Sequence, residues 1–89
     1  MRVFKTKPFA RFAAKEGIAD AALRDAIRRA EAGLVDADLG GGVIKQRLAR
    51  PGQGKSGGFR SIVLFRRQAT AFFVYGFAKN DRDTLTGKS

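Results

Sequence analysis

Cysteine, histidine and tryptophan are all absent from these 89 residues. Without thiols or imidazoles there is no disulfide framework, no thiolate or imidazole metal site, no cysteine nucleophile and no histidine general base. Any catalysis falls to Lys, Arg, Tyr, Ser, Thr or a carboxylate. No apolar run approaches the ~18 residues of a membrane span, and the N-terminal stretch MRVFKTKPFARFAAKEG lacks the continuous apolar segment of a secretory signal. The expected compartment is therefore the cytoplasm, with no membrane partner.

Acidic residues are missing from one long window. From Leu39 to Asn80 there are eight basic residues (Lys45, Arg47, Arg50, Lys55, Arg60, Arg66, Arg67 and Lys79) and no carboxylate, while outside it ten basic residues nearly balance all eight acidic ones. Most of the formal net charge of +10 is thus local. A concentrated positive field recruits polyanions and speeds encounter with them. A solvated face accounts for most basic runs but not for the exclusion of Asp and Glu over this length, so nucleic acid or another polyanion is the expected partner.

What is present is the composition of a packed chain, 44% hydrophobic with eight Phe. A chain this short holds one domain, residues 1–89, and buries only roughly 60–65% of the surface its unfolded form exposes, which leaves little room for a deep cofactor pocket.

Two helices are expected first, after a short extended start at Val3–Lys5. Pro8 suits a first helical turn, Phe9, Phe12 and Ala13 share one face, and Gly17 stops the helix. In the second helix Asp20 is a candidate cap and Leu23, Ile27, Ala30 and Leu34 recur at helical spacing, with Gly33 at the left-handed end position. Arg24 and Arg28 lie on its outer side with Asp20 and Asp25 and read as a solvated face. Gly40-Gly41-Gly42 ends the helical part, and the period changes from 3.6 to 2. In Val43–Ala49, Ile44, Gln46 and Leu48 point one way, and Val43, Lys45 and Arg47 the other. Phe59–Arg66 is apolar on both faces in its middle, as a central strand should be, and Ala71–Phe77 follows a short turn at Arg67–Thr70. The class is α+β, two helices packed on one face of a three-stranded antiparallel meander.

Between the first two of these strands lies a glycine-rich loop, Arg50-Pro51-Gly52-Gln53-Gly54-Lys55-Ser56-Gly57-Gly58. Gly52–Gly57 formally satisfies G-x-G-x-x-G, and Gly54-Lys55-Ser56 is like the end of a phosphate-binding P-loop. Both motifs need a helix to follow, and here a strand follows; Ala49 also stands where the first P-loop glycine belongs. A flexible hairpin explains the glycines but not the neighbouring Arg50, Lys55 and Arg60. Glycines beside cations let backbone N–H groups and side chains approach a phosphate without obstruction.

The runs Ile44-Lys45-Gln46-Arg47-Leu48-Ala49-Arg50, Gly54-Lys55-Ser56-Gly57-Gly58-Phe59-Arg60 and Phe73-Val74-Tyr75-Gly76-Phe77-Ala78-Lys79-Asn80, followed by Asp81-Arg82-Asp83, resemble the RelE/ParE superfamily of toxins from bacterial toxin–antitoxin modules. The likeness is nearest the HigB-like branch with its GKSGG[FY]R signature and covers nearly the whole chain. It implies a small endoribonuclease that cleaves mRNA, commonly on the ribosome, inhibits translation and uses no metal and no cofactor. ParE-like members poison DNA gyrase instead, so the alternative is a non-enzymatic toxin or binder, a gyrase poison or an RNA-binding domain. The resemblance also implies a cognate antitoxin, and an acidic segment laid across the cations would mask them. Relatives usually continue into a further helix after this segment, whereas this chain stops six residues beyond Asp83. The expected RelE-like fold therefore has the family's C-terminal helix missing or truncated, leaving an edge or core face for the antitoxin or a second copy to cover. The tyrosine or histidine that some members carry near the C-terminus has no counterpart after Phe77.

A nuclease lacking histidine and metal must still activate a ribose 2′-hydroxyl, stabilise a charged phosphorane and protonate the leaving 5′-oxygen. A lysine crowded by other cations gives up its proton more readily, while arginine stays charged and grips phosphate in a bidentate manner. Carried over position by position, the resemblance implies a phosphate-stabilising Arg60, with Lys55, Lys45 and Lys79 as the matching catalytic lysines. Arg47 and Arg50 are the candidate RNA contacts beside them, although alternation places Lys45 and Arg47 on an exposed face whatever they do. Tyr75, the only tyrosine, has a hydroxyl that can donate to phosphate and a ring that can stack on a base. A lone strand aromatic among Phe72, Phe73 and Phe77 is more often part of the core, and the phenylalanines themselves are expected in the core.

Overall fold

The computed structural model describes residues 2–50, 54–66 and 69–78, with only the backbone described at 49, 50 and 54–57. Within these residues the order is β1 (Arg2–Lys5), α1 (Lys7–Glu16), α2 (Asp20–Glu31), β2 (Ala37–Gly40), β3 (Val43–Arg50), β4 (Gly54–Arg66) and β5 (Thr70–Ala78). The strands form one sheet in the order β1-β5-β4-β3-β2.

The three expected strands are present as the antiparallel β3-β4-β5, with β4 in the centre. The sheet is nevertheless five-stranded and mixed rather than a three-stranded meander. Arg2–Lys5 pairs in parallel with Thr70–Phe73, and Ala37–Gly40 adds an antiparallel edge beside β3. Gly40, Gly41 and Gly42 do not close the helical part; they form the tight turn from β2 to β3 with φ of 90°, 62° and 86°, values that glycine adopts without a Cβ penalty. The glycine-rich loop is also shorter than expected, because β4 begins at Gly54 and not at Phe59. Only residues 51–53 separate β3 from β4, and they lie outside the described residues.

α1 matches its sequence signals closely. Thr6 is the N-cap and its hydroxyl accepts the Phe9 N–H at 3.3 Å, Pro8 lies in the first turn, and Gly17 closes the helix at φ 71°. Asp20 is not the cap of α2 but its first helical residue, where a carboxylate complements the helix dipole. Leu34 does not extend the apolar stripe of α2. The helix ends at Glu31, Gly33 turns the chain at φ 86°, and Leu34 is left 62% exposed.

Both helices cover one face of the sheet. The Phe9 ring packs on Phe73 with centroids 5.1 Å apart, Phe12 meets Phe59 edge-on at 5.3 Å, and Leu23, Ala26 and Ile27 of α2 join Ile44, Leu48, Phe59, Val63, Ala71 and Phe73 in the core. Each fully buried Val, Leu, Ile or Phe among these contributes about 1.5–3 kcal/mol. The expectation that the phenylalanines are core holds for Phe9, Phe59 and Phe73, but Phe4 is exposed and Phe72 and Phe77 are half-buried on the other face.

Among the described residues two polar side chains, Gln46 and Ser61, lie within this core, and both are hydrogen-bonded. Gln46, 1% exposed, donates from Nε2 to the Ala26 and Leu34 carbonyls and accepts the Asp36 N–H at Oε1. Ser61 donates to the Gln46 carbonyl at 2.9 Å. Gln46 thereby fastens both α2 and the turn into β2 to the middle of β3.

Candidate nucleic-acid interface

The sheet face away from the helices carries four of the candidate residues, Lys45, Arg47, Arg60 and Tyr75. Directly opposed residues of an antiparallel pair point to the same side, about 5 Å apart at Cβ. The register opposes Arg47, Arg60 and Phe77 in one row, Lys45, Ile62 and Tyr75 in the next, and Val43, Leu64 and Phe72 in a third. Phe4 of β1 extends that third row by stacking on Phe72 at 5.3 Å, with the Arg2 guanidinium 5.5 Å from its ring centre. Arg66 stands opposite Thr70 at the far end.

Alternation along β3 and β4 thus brings Lys45, Arg47 and Arg60 together, since their neighbours Ile44, Gln46, Leu48, Phe59 and Ser61 are all drawn into the core. Arg47 and Arg60 are direct cross-strand neighbours. Two like charges so placed destabilise a sheet, and the sequence accepts that cost here. Neither Lys45 nor Arg47 has a carboxylate partner among the described residues. Arg29 of α2 braces the strand from behind, donating from Nη2 to the Arg47 carbonyl at 2.9 Å while its Nε bonds Asp25.

Tyr75 reaches this face through a β-bulge. Ile62 opposes Tyr75 and Val63 opposes Phe73, which leaves Val74 as the extra residue of β5. Strict alternation from the buried Phe73 would turn Tyr75 into the core and Gly76 outward. The bulge reverses both. Tyr75 is 49% exposed with Phe77 6.0 Å away, whereas Gly76 faces Phe9 and Phe12. Thr6 holds the irregularity, its N–H donating to the Phe73 carbonyl at 3.1 Å and its hydroxyl to the Val74 carbonyl at 2.9 Å.

Arg60 is paired. Its Nε stands 3.0 Å from Oδ2 of Asp36, and the two side chains are 17% and 24% exposed, the most enclosed ion pair among the described residues. Asp36 was not among the sequence-predicted residues. It lies three positions ahead of the acid-free window, and that position beside the cations was the one available signal. Of the remaining candidates, Arg50 and Lys55 lie on backbone where β3 and β4 first pair, with side chains outside the described residues, and Lys79 is itself outside them. Two shallow clefts between β1 and α2, lined by Val3, Lys5, Asp20, Leu23, Arg24, Ile27, Arg28 and Glu31, contain none of the candidates. Among the described residues no group of three or more metal-ligating side chains occurs, and no helix is long and apolar enough to cross a membrane.

An α+β fold with an acid-poor cationic patch on an open sheet face agrees with the comparison to known families: a family model described as the RelE toxin of the RelE/RelB toxin–antitoxin system matches residues 1–89. The chain belongs to the RelE toxin family. No curated protein matches it. As a RelE-family chain it is a toxin of a toxin–antitoxin module, and the family implies a cognate antitoxin. On this RelE-family scaffold Lys45, Arg47 and Arg60 are half-buried side by side, with the more exposed Tyr75 in the same rows.

Proposed function

We propose that this RelE-family toxin is a metal-independent endoribonuclease that cleaves mRNA, at the ribosome and in the cytoplasm, and so inhibits translation. Residues 1–89 act as one RelE-like domain. The observation that carries the reading is the convergence of Lys45, Arg47, Arg60 and Tyr75 on one sheet face, with two arginines directly opposed and, among the described residues, one carboxylate paired with them. Arg60 grips the scissile phosphate and stabilises the charge that grows on it, Lys45 supplies or removes a proton, and Arg47 holds a neighbouring phosphate. Tyr75 stacks on a base or donates its hydroxyl to phosphate. Lys55, Lys79 and Arg50 complete the site in this reading, on the strength of the family resemblance alone.

In the reaction a basic side chain of the site takes the ribose 2′-hydroxyl proton and the freed oxygen attacks phosphorus. The bond to the 5′-oxygen breaks, that oxygen is protonated by a second group, and a cyclic 2′,3′-phosphate and a 5′-hydroxyl remain. The test is induction in bacteria, with primer extension on abundant transcripts. Discrete mRNA breaks and arrested translation are expected, and Arg60→Ala should lower cleavage about 100-fold or more while the purified variant keeps its fold by circular dichroism. A DNA-damage response with intact mRNA would select gyrase as the target. RNA binding without strand scission would leave a binding domain, and undiminished cleavage by Arg60→Ala would remove the site assignment.

A further inference from the structure

We propose that Asp36 is a positioning residue for Arg60, holding its guanidinium across the cationic face in the orientation that meets phosphate. This rests on the endoribonuclease reading above. Arg60 lies on β4 and Asp36 immediately before β2, so β3 stands between them in the sheet. To reach Asp36, the Arg60 side chain must cross β3 on its open side, where the outward residues at that level are Lys45 and Arg47. The ion pair therefore draws the guanidinium toward two other cations, an arrangement it would not adopt unaided.

Asp36 is itself held from the core. Its N–H is shared between the Lys45 carbonyl at 3.1 Å and Gln46 Oε1 at 3.3 Å, and Gln46 is buried and anchored to α2 through the Ala26 carbonyl. A buried amide thus fixes the backbone, the backbone fixes the carboxylate, and the carboxylate fixes the arginine. An arginine held through Nε still has its two terminal nitrogens to offer an incoming phosphate. Pre-setting that fork counts most in the transition state, where a small misplacement is costly.

The informative variant is Asp36→Asn, which keeps the shape, removes the charge and makes the site more positive by one. Three quantities are measured for wild type, Asp36→Asn and Arg60→Ala: single-turnover cleavage of a short RNA, binding of the same RNA with 2′-O-methyl riboses, and the Arg60 Nε–H signal in NMR spectra of the free protein. The expected result is a cleavage rate about 10-fold or more lower for Asp36→Asn, with binding as tight as wild type or tighter and the Arg60 signal shifted or broadened away. A purely structural contribution would lower thermal stability without separating rate from affinity. An unchanged rate with an unchanged Arg60 signal would overturn the proposal, and a faster rate would show that the carboxylate masks Arg60 rather than aims it. If Arg60→Ala cleaves and binds normally, the site reading fails instead. If Arg60→Ala is inactive while Asp36→Asn is fully active, only the positioning inference falls.

Discussion

The two faces of the sheet treat polar groups in opposite ways. On the helix side Gln46 and Ser61 are buried and each of their side-chain polar atoms has a hydrogen-bond partner, as a low-dielectric interior demands. On the open side Arg47 opposes Arg60, Lys45 lacks an acidic partner among the described residues, and aromatic rings stand in solvent. One face is packed for stability, and the other sets like charges side by side and leaves the Phe4 and Tyr75 rings exposed. The sharpest way to break that division is a pair of truncations two residues apart on β5. Phe73→Ala removes a fully buried ring packed against Phe9 and should cost about 3–5 kcal/mol in chemical denaturation. Tyr75→Ala, on the open face, should change stability by about 0.5 kcal/mol or less while weakening RNA binding. Comparable losses of stability at both positions would mean that the open face is a second core.

Gly76 tests where the two faces exchange roles. A Cβ there would stand 2.5 Å from two ring carbons of Phe12 and 3.0 Å from one of Phe9, so α1 can lie this close to β5 only because the side chain is missing. Gly76→Ala must push the Phe12 ring and with it the helix, at a cost of about 1–3 kcal/mol by urea titration. A neutral effect would place α1 farther from the sheet than described.

Sequence patterns made the helix side legible and left much of the open side obscure, for reasons specific to each element. α1 carries its own start, stripe and stop in Pro8, Phe9, Phe12, Ala13 and Gly17, and β3 shows its two faces in the alternation of Ile44, Gln46 and Leu48 with Lys45 and Arg47. These are local signals. β1 is only four residues long, and its partnership with β5 joins positions 68 residues apart, which no local pattern encodes. β2 escaped because Ala-Asp-Leu-Gly runs into two further glycines and reads as a loop. Leu34 continued the spacing of α2 although Gly33 had already turned the chain. The grouping of Lys45, Arg47 and Arg60 followed from alternation, whereas the Asp36–Arg60 contact spans 24 positions and crosses a strand. Tyr75 was ambiguous because a single extra residue in β5 inverts every later assignment of inside and outside.

The smallest effect expected is at that inversion point, and it sharpens the comparison most. The Thr6 hydroxyl accepts the Phe9 N–H that starts α1 and donates to the Val74 carbonyl in the bulge, so one side chain couples a helix start to the direction in which Tyr75 points. Thr6→Val keeps the shape and removes both bonds, at a cost of about 0.5–2 kcal/mol from the cap. Its more telling effect concerns Tyr75. In a chain with one tyrosine and no tryptophan, fluorescence excited at wavelengths beyond the phenylalanine band comes from that ring alone. If the hydroxyl holds the bulge, Thr6→Val should make Tyr75 less accessible to a soluble quencher such as acrylamide and weaken RNA binding, although Thr6 lies on no cationic row. Unchanged quenching together with a small loss of stability would assign the bulge to the Thr6 N–H and the register of β4 and β5, leaving the hydroxyl as a helix cap only.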